Sequence, residues 1–247
     1  HKAYREGWNA VLLNLYNSNW SISLPKIYHA GASEEVSEIL EVVAERRGLN
    51  EIFLVGASMG GNILLKMLGA WGSNIPEQVR AAVAISPLVD LVKSAQMLEK
   101  PSNIIFQRHF VKKLKRLVRE GNFELNSFID LEKLLSVRTV RQFDQLFTVP
   151  LTEFRNVMDY YRQASSLPYL KEIRVPTLVI HARDDPLLPW GPLQLPEIRS
   201  NPWLLIFLTS YGGHLGFIEN KNIGDIDRRW AENRVIDYFR FTGLSDL

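Results

Sequence analysis

The chain has 247 residues, 46% of them hydrophobic, which is enough for a sizeable core in one large α/β domain. Its 29 basic and 27 acidic residues nearly balance, and a net charge of +2 argues against a nucleic acid partner. The absence of cysteine excludes disulfides, thiolate metal sites and a cysteine nucleophile. The printed sequence opens with no basic and then apolar leader and has no apolar run of membrane-spanning length, so we expect a cytoplasmic protein.

The first fifty residues show the start of an alternation of strands and helices, which is typical of a parallel sheet. Residues 1–6 resemble the end of a helix, with Gly7 closing it. The apolar run Ala10 to Tyr16 predicts a buried strand. Ser33 is then expected to cap a second helix, which Gly48 closes.

The next segment predicts a nucleophile. A short buried strand, Ile52 to Val55, leads into a G-x-S-x-G turn formed by Gly56, Ser58 and Gly60, and an amphipathic helix follows. A serine in such a turn projects above the sheet edge, and glycine is expected at both flanking positions because a Cβ there would meet neighbouring backbone. We predict that Ser58 is the nucleophile and that Met59 N–H is an oxyanion donor at the positive end of the helix. An ordinary turn between a strand and a helix is the alternative.

The rest of the chain continues the pattern after a long helical interruption. Three further strands are predicted, at Val79 to Ile85, Thr177 to Ala182 and Leu204 to Thr209. The first two are separated by helical segments alone, at about 91–98, 104–119, 131–137, 140–147 and 153–165. We therefore predict a core formed by residues 1–90 and 166–247, a helical cap inserted at 91–165, and a closing helix from Asp225 to Phe241.

A serine hydroxyl needs a base, and the base needs a third group to orient it. His214 is the candidate base, because it follows the last strand in a loop with three glycines, Gly212, Gly213 and Gly216. Two adjacent carboxylates follow the strand before it: Asp185 is our choice for the acid, and Asp184 is the alternative, whose other role would be to accept loop amide hydrogens. His29 and His181 are expected to be structural. The spacing of His, Asp and Glu predicts no metal site, and we expect no cofactor.

Together these features resemble the α/β-hydrolase superfamily, and within it the esterase/lipase-like branch of bacterial hydrolases and plant embryogenesis-associated proteins. The closer resemblance is carried by residues 28–31, 60–62, 159–161, 165–168, 180–186 and 212–217. It implies an α/β-hydrolase fold, with a mostly parallel sheet flanked by helices and a helical cap. It also implies a serine hydrolase that acts on small-molecule acyl esters, with Ser58, Asp185 and His214 as its triad.

The chain departs from that family at its start. Members carry, upstream of the first helix, a strand that ends in a His-Gly loop and supplies one oxyanion amide. We expect these N-terminal strands to be missing here and residue 1 not to be the natural start. Met59 N–H then has no evident second donor beside it, and the loss of one donor lowers rates by roughly 10² to 10³. Two alternatives therefore accompany ester hydrolysis: acyl transfer to an alcohol, and a non-catalytic binding protein that retains the fold.

The predicted helix 104–119 is strongly basic. Residues 108–119 include six cationic side chains. Phe110, Leu114, Leu117 and Val118 form an apolar stripe on the same helix. Charge runs of this kind are most often the solvated basic face of a helix, here one of the cap, and this is the interpretation that we favour. Peripheral contact with an anionic membrane surface that presents lipid substrates is the alternative.

Overall fold

A computed structural model describes residues 1–13, 29–120, 129–220 and 225–243. They form two compact units, each of which is described by itself. The first unit comprises the described residues of His1–Leu12, Ser33–Val89 and Ser166–Leu247, and the second those of Leu13–Ala32 and Asp90–Ser165. Across these ranges, no helix combines the length and the apolar character that crossing a bilayer requires.

The strands all belong to the first unit and form one sheet within the described residues. They are β1 (Ile52–Ala57), β2 (Val79–Ile85), β3 (Thr177–Ala182) and β4 (Leu204–Thr209), in the order β1-β2-β3-β4. Every neighbouring pair is parallel. Four of the five predicted strands are thus confirmed, and their carboxyl ends share one edge, from which the loops that follow them emerge.

Ten α-helices lie in the described part of the chain. In chain order they are α1 (Lys2–Arg5), α2 (Ser33–Arg47), α3 (Met59–Trp71), α4 (Leu91–Leu98), α5 (Ile104–Glu120), α6 (Leu131–Ser136), α7 (Val140–Phe143), α8 (Val157–Ala164), α9 (Pro196–Arg199) and α10 (Trp230–Gly243). Gly48 follows α2 with a φ of 57°, which fits its predicted role at the helix end. The closing helix starts five residues later than predicted, because an antiparallel bridge between Ile218 and Arg229 holds the chain before it.

Alternate residues of β2 show that helices cover both faces of the sheet. Ala82 and Ala84 belong to a core cluster with apolar residues of α3, and Ala81 and Val83 belong to a second cluster with apolar residues of α10. Successive side chains of a strand point to opposite faces, so an apolar run with no polar alternation marks a strand that is buried on both sides. This layering is the predicted α/β architecture.

The N-terminal segment corrects one prediction. α1 ends before Gly7, whose φ is 77°, as expected of the residue that closes a helix. Residues 10–13, however, form no strand, and Val11 and Leu12 are 75% and 85% exposed. The strand predicted at 10–16 is therefore wrong over 10–13, and residues 14–16 lie outside the described ranges. A strand needs a neighbour for its backbone hydrogen bonds, and no described strand pairs with this segment.

The described residues of the second unit are dominated by helices α4 to α8. Their core consists of buried apolar side chains, namely Val111, Val118, Leu134, Val137, Phe143 and Phe147. α8 starts at Val157 and not at the predicted residue 153, because the Asn156 side chain caps it by accepting the N–H groups of Met158 and Asp159 at 3.0 Å. The assignment of 91–165 as a cap stays a prediction.

His29 has the structural surroundings that we expected. Its Nδ1 accepts the N–H of Gly31 at 3.1 Å, and its ring packs edge-on against Phe154 and Tyr160 within the second unit. Tyr28, which belongs to the same motif, lies outside the described residues.

Asp144 of the second unit has unusual surroundings for a titratable group. It begins a π-helical turn, Asp144–Thr148, and its carboxylate accepts the hydroxyls of Tyr161 and Thr148, both at 2.7 Å. Burial raises the pKa of Asp144 from 3.8 to about 6, and these hydrogen bonds offset only part of that shift. The folded protein therefore holds this proton more tightly than the unfolded chain does. The contribution of Asp144 to stability is greatest below its ordinary pKa and is lost as the pH rises towards 6.

We expect the stability of the wild type to fall with rising pH relative to Asp144→Asn and to rise with rising pH relative to Asp159→Asn. Relative to Asp144→Asn, the wild type should lose up to about 3 kcal/mol of unfolding free energy between pH 4 and pH 7, because only the carboxyl deprotonates. Asp159→Asn is the matched control. The N–H of Arg155 and the Gln163 amide lower the pKa of Asp159, so the wild type should gain relative to this variant as the pH rises. Urea unfolding at a series of pH values measures both, and a flat difference for Asp144→Asn would contradict the assignment.

Candidate active site

Ser58 is the single residue between β1 and α3, and its backbone is strained. Its φ of 52° and ψ of −118° lie in a region that residues with a Cβ rarely adopt. The surrounding backbone holds it there, since Ser58 N–H donates to the carbonyl of Ile85 at 2.9 Å and its own carbonyl accepts the N–H of Asn62 at 3.1 Å. This geometry is that of the sharp strand-to-helix turn predicted from the sequence.

Gly56 is required by close packing, whereas Gly60 is not. A Cβ on Gly56 would lie 2.5 Å from the carbonyl oxygen of Gly60, closer than any packing tolerates. A Cβ on Gly60 would meet nothing within 4 Å. The steric prediction is therefore right for Gly56 and wrong for Gly60, which contributes its carbonyl to the contact instead.

The loop after β4 brings His214 to Ser58. The Nε2 atom of His214 lies 2.9 Å from Ser58 Oγ, and its Nδ1 atom lies 2.9 Å from Asp185 Oδ2. When the neutral ring carries its proton on Nδ1, that N–H donates to the carboxylate and Nε2 accepts the serine hydroxyl. The three residues chosen from the sequence thus come together, although 156 positions separate Ser58 from His214.

Asp185 is held rigidly on the loop after β3. Its side chain has no exposed surface, and its Oδ1 accepts the N–H groups of Leu187 and Leu188 at 2.8 and 3.1 Å. One carboxylate oxygen is therefore committed to the loop backbone, and the other faces the imidazole. A charge-assisted bond of this kind fixes the orientation of the ring.

Asp184, the alternative acid, contacts the backbone of the histidine loop. Its Oδ1 accepts the N–H of Gly213 at 2.8 Å. Gly213 has a φ of 59°, a left-handed conformation that glycine adopts without strain. The two neighbouring carboxylates thus differ in role: Asp185 binds the ring of His214, and Asp184 binds the residue before it, which is the other role considered for it.

His181 is buried beside the acid and stays neutral. It is 1% exposed, and its Nε2 atom lies 3.4 Å from the Leu188 carbonyl oxygen and 4.0 Å from Asp185 Oδ2. Burial lowers the pKa of His181, and the nearby carboxylate opposes that shift only in part. A neutral His181 leaves the charge of Asp185 available to His214.

The first turn of α3 provides the candidate oxyanion donor. Met59 is the first residue of α3, so its N–H has no acceptor in a preceding turn of its own helix and lies at the positive end of the helix dipole. Among the described residues, no group of three or more His, Asp or Glu side chains is arranged to hold a metal ion.

Asn62 is a residue whose role we did not predict from the sequence. It lies one turn after Ser58 in α3, is fully buried, and its Oδ1 accepts the N–H of Ser166 at 2.8 Å. This bond ties the helix that follows the serine to a segment 104 positions away. The only signal in the sequence was a buried polar residue on an apolar helix face, which does not identify its partner.

Residues 2–221 match the family described as the alpha/beta hydrolase fold. The chain belongs to this family. It is 33% identical over 239 residues to YheT of Escherichia coli K12, which bears the name of an esterase; the match covers 96% of this chain and 69% of that protein. The predicted superfamily and fold class are confirmed.

Two proteins of Saccharomyces cerevisiae are also similar. A monoacylglycerol lipase is 30% identical over 85% of this chain and 47% of its own length. A medium-chain fatty acid ethyl ester synthase/esterase is 30% identical over 88% of this chain and 52% of its own length. The chain thus spans about half the length of these two relatives. Their names support the predicted enzyme class, a carboxylic ester hydrolase.

Proposed function

We propose that this chain is a serine hydrolase that cleaves carboxylic acyl esters through an acyl-enzyme intermediate on Ser58. The observation that carries the proposal is the unbroken series of hydrogen bonds from Ser58 Oγ through His214 to Asp185, with both heavy-atom distances at 2.9 Å. The esterase and lipase names of the relatives support an ester as the substrate class.

The first half of the reaction forms the acyl-enzyme. His214 Nε2 takes the proton of Ser58 Oγ as that oxygen bonds to the ester carbonyl carbon, and the carbonyl π electrons move to its oxygen. Met59 N–H donates to this oxyanion. When the carbonyl re-forms, the bond to the alcohol oxygen breaks, and the leaving alkoxide takes the proton from His214. Asp185 remains ionised and stabilises the imidazolium between these two proton transfers.

The second half releases the acid. Water bonds to the acyl carbon while His214 takes its proton, and the bond between that carbon and Ser58 Oγ then breaks. Ser58 regains its proton from His214, and the carboxylic acid leaves. In both halves, each proton that His214 accepts is passed on within the same half, first to the leaving alcohol and then to Ser58.

Acyl transfer is the second candidate function. In that reaction an alcohol replaces water in the second half and an ester leaves in place of an acid. The name of the yeast ethyl ester synthase/esterase favours this alternative, because it assigns both directions to one relative. Measuring the ratio of ester to free acid released in the presence of added ethanol separates the two functions.

Covalent labelling tests the proposal directly. A fluorophosphonate probe reacts with a serine that a neighbouring base activates, so we expect one labelled peptide in the intact protein, containing Ser58. A panel of p-nitrophenyl esters with graded acyl lengths then measures hydrolysis and its preferred chain length. If the probe labels nothing, or labels a different serine, the hydrolase proposal fails and a non-catalytic binding protein is the better description.

A further inference from the structure

Helix α5 has one side committed to the core of the second unit. Val111 and Val118 are buried, and Leu114 and Leu117 pack against the same cluster. The predicted apolar stripe is therefore unavailable to a membrane, because most of it is used in folding. Any external contact of this helix has to use its opposite side.

The outward side of α5 carries a row of cations with little compensation. Arg108, Lys112, Arg116 and Arg119 are exposed and are spaced by four, four and three residues, which places them along one helix face. Within the described ranges, the row forms one ion pair, between Arg116 Nε and Glu120 Oε1 at 2.8 Å.

The neighbourhood of this row is also positive. Lys113 is exposed beside it, and Lys115 lies at its margin. Burial lowers the pKa of Lys115, and the neighbouring charges of Arg119 and Arg138 lower it further. A surface of this kind attracts a dense array of negative charge.

The same face begins with two exposed apolar side chains. Ile104 and Ile105 are 44% and 76% exposed and precede Arg108 by four and three residues, so they continue the cationic row. Contiguous exposed apolar groups at the end of a charged surface gain free energy where water gives way to hydrocarbon. A nucleic acid offers phosphates but no apolar layer beneath them, whereas a bilayer offers both.

We propose that the outward face of α5, from Ile104 to Arg119, is a docking surface for an anionic lipid bilayer. Its cations contact lipid phosphates, and Ile104 and Ile105 enter the headgroup boundary. The contact is mainly electrostatic, since each Lys or Arg near a negatively charged leaflet contributes a comparable increment of binding. The proposal does not depend on catalysis and can be tested in the absence of any substrate.

Vesicle binding of the intact protein tests the surface. We expect sedimentation with phosphatidylcholine vesicles only when they also contain phosphatidylglycerol, and release by added salt. Arg108→Ala combined with Lys112→Ala should weaken binding about 30-fold, which corresponds to about fivefold for each cation. Ile105→Ser should weaken it about threefold to tenfold, even though it leaves the charge unchanged.

A matched control separates this face from net charge. Arg46→Ala combined with Arg47→Ala removes the same charge from the exposed end of α2, and it should leave binding within about twofold of the wild type. Circular dichroism confirms that each variant is folded. Equal losses in the control pair, no effect of Ile105→Ser, or tighter binding to a DNA duplex than to the vesicles would each overturn the proposal.

Discussion

Replacing Ser58 with alanine is expected to lower kcat for ester hydrolysis by about 10⁵- to 10⁶-fold and to abolish fluorophosphonate labelling. The hydroxyl is the group that bonds to the acyl carbon, and nothing else at this turn replaces it. Alanine adopts the backbone conformation of Ser58 no less readily than serine does, so the fold and the substrate affinity should persist. Initial rates on a p-nitrophenyl ester measure kcat and KM separately.

Ser86 provides the control for that substitution. It too has a positive φ, 43°, follows the neighbouring strand β2, and is fully buried. Its Oγ has no hydrogen-bond partner among the described residues. Ser86→Ala therefore removes a serine hydroxyl from a residue whose backbone has a similar positive φ but whose hydroxyl is not hydrogen-bonded to a base. We expect less than a tenfold change in kcat. Retained activity in Ser58→Ala would refute the nucleophile, and an equal loss in Ser86→Ala would show that activity is sensitive to loss of any buried hydroxyl at this edge of the sheet.

The sheet and the site could be predicted because their signals are local. β2, β3 and β4 are mostly apolar runs of six or seven residues, which is typical of parallel strands in a sheet that helices cover. Parallel strands end at one edge, so the order of serine, acid and histidine after successive strands was sufficient to predict that Ser58 and His214 meet. The glycines of the serine turn could be located from the sequence, but which of them packs against backbone could not.

Features that depend on a distant partner were beyond the sequence. The apolar run at 10–13 resembles a strand, yet it forms none, because pairing requires a neighbour that composition does not specify. The contact between Asn62 and Ser166 joins two segments that no local pattern relates. The sequence favoured Asp185 as the acid but left Asp184 open, since one residue of offset reverses which carboxylate faces the imidazole and the conformation of the loop decides it.

That offset leads to a sharp prediction for Asp185→Asn, which should lower kcat by about 10⁴-fold. In the native loop, Oδ1 accepts two backbone N–H groups, so the asparagine oxygen will occupy that position and its NH₂ group will face His214 Nδ1. The ring must then accept a hydrogen bond at Nδ1 and carry its proton on Nε2. An imidazole in that tautomer cannot take the proton of Ser58, although the heavy atoms barely move.

Asp184→Asn is the matched change at the adjacent position and should cost less than about fivefold in kcat. The amide oxygen can still accept the N–H of Gly213, so the histidine loop keeps its anchor. Asp184→Ala removes the acceptor and should lower kcat about tenfold, the usual consequence of one unmade hydrogen bond. We expect the loss in kcat to be greatest for Asp185→Asn, smaller for Asp184→Ala and smallest for Asp184→Asn. A greater loss in Asp184→Asn than in Asp185→Asn would mean that Asp184 is the acid and that the loop rearranges in solution. Kinetics of the three variants on one ester, with stability measured in parallel, distinguishes an orienting charge from a loop anchor.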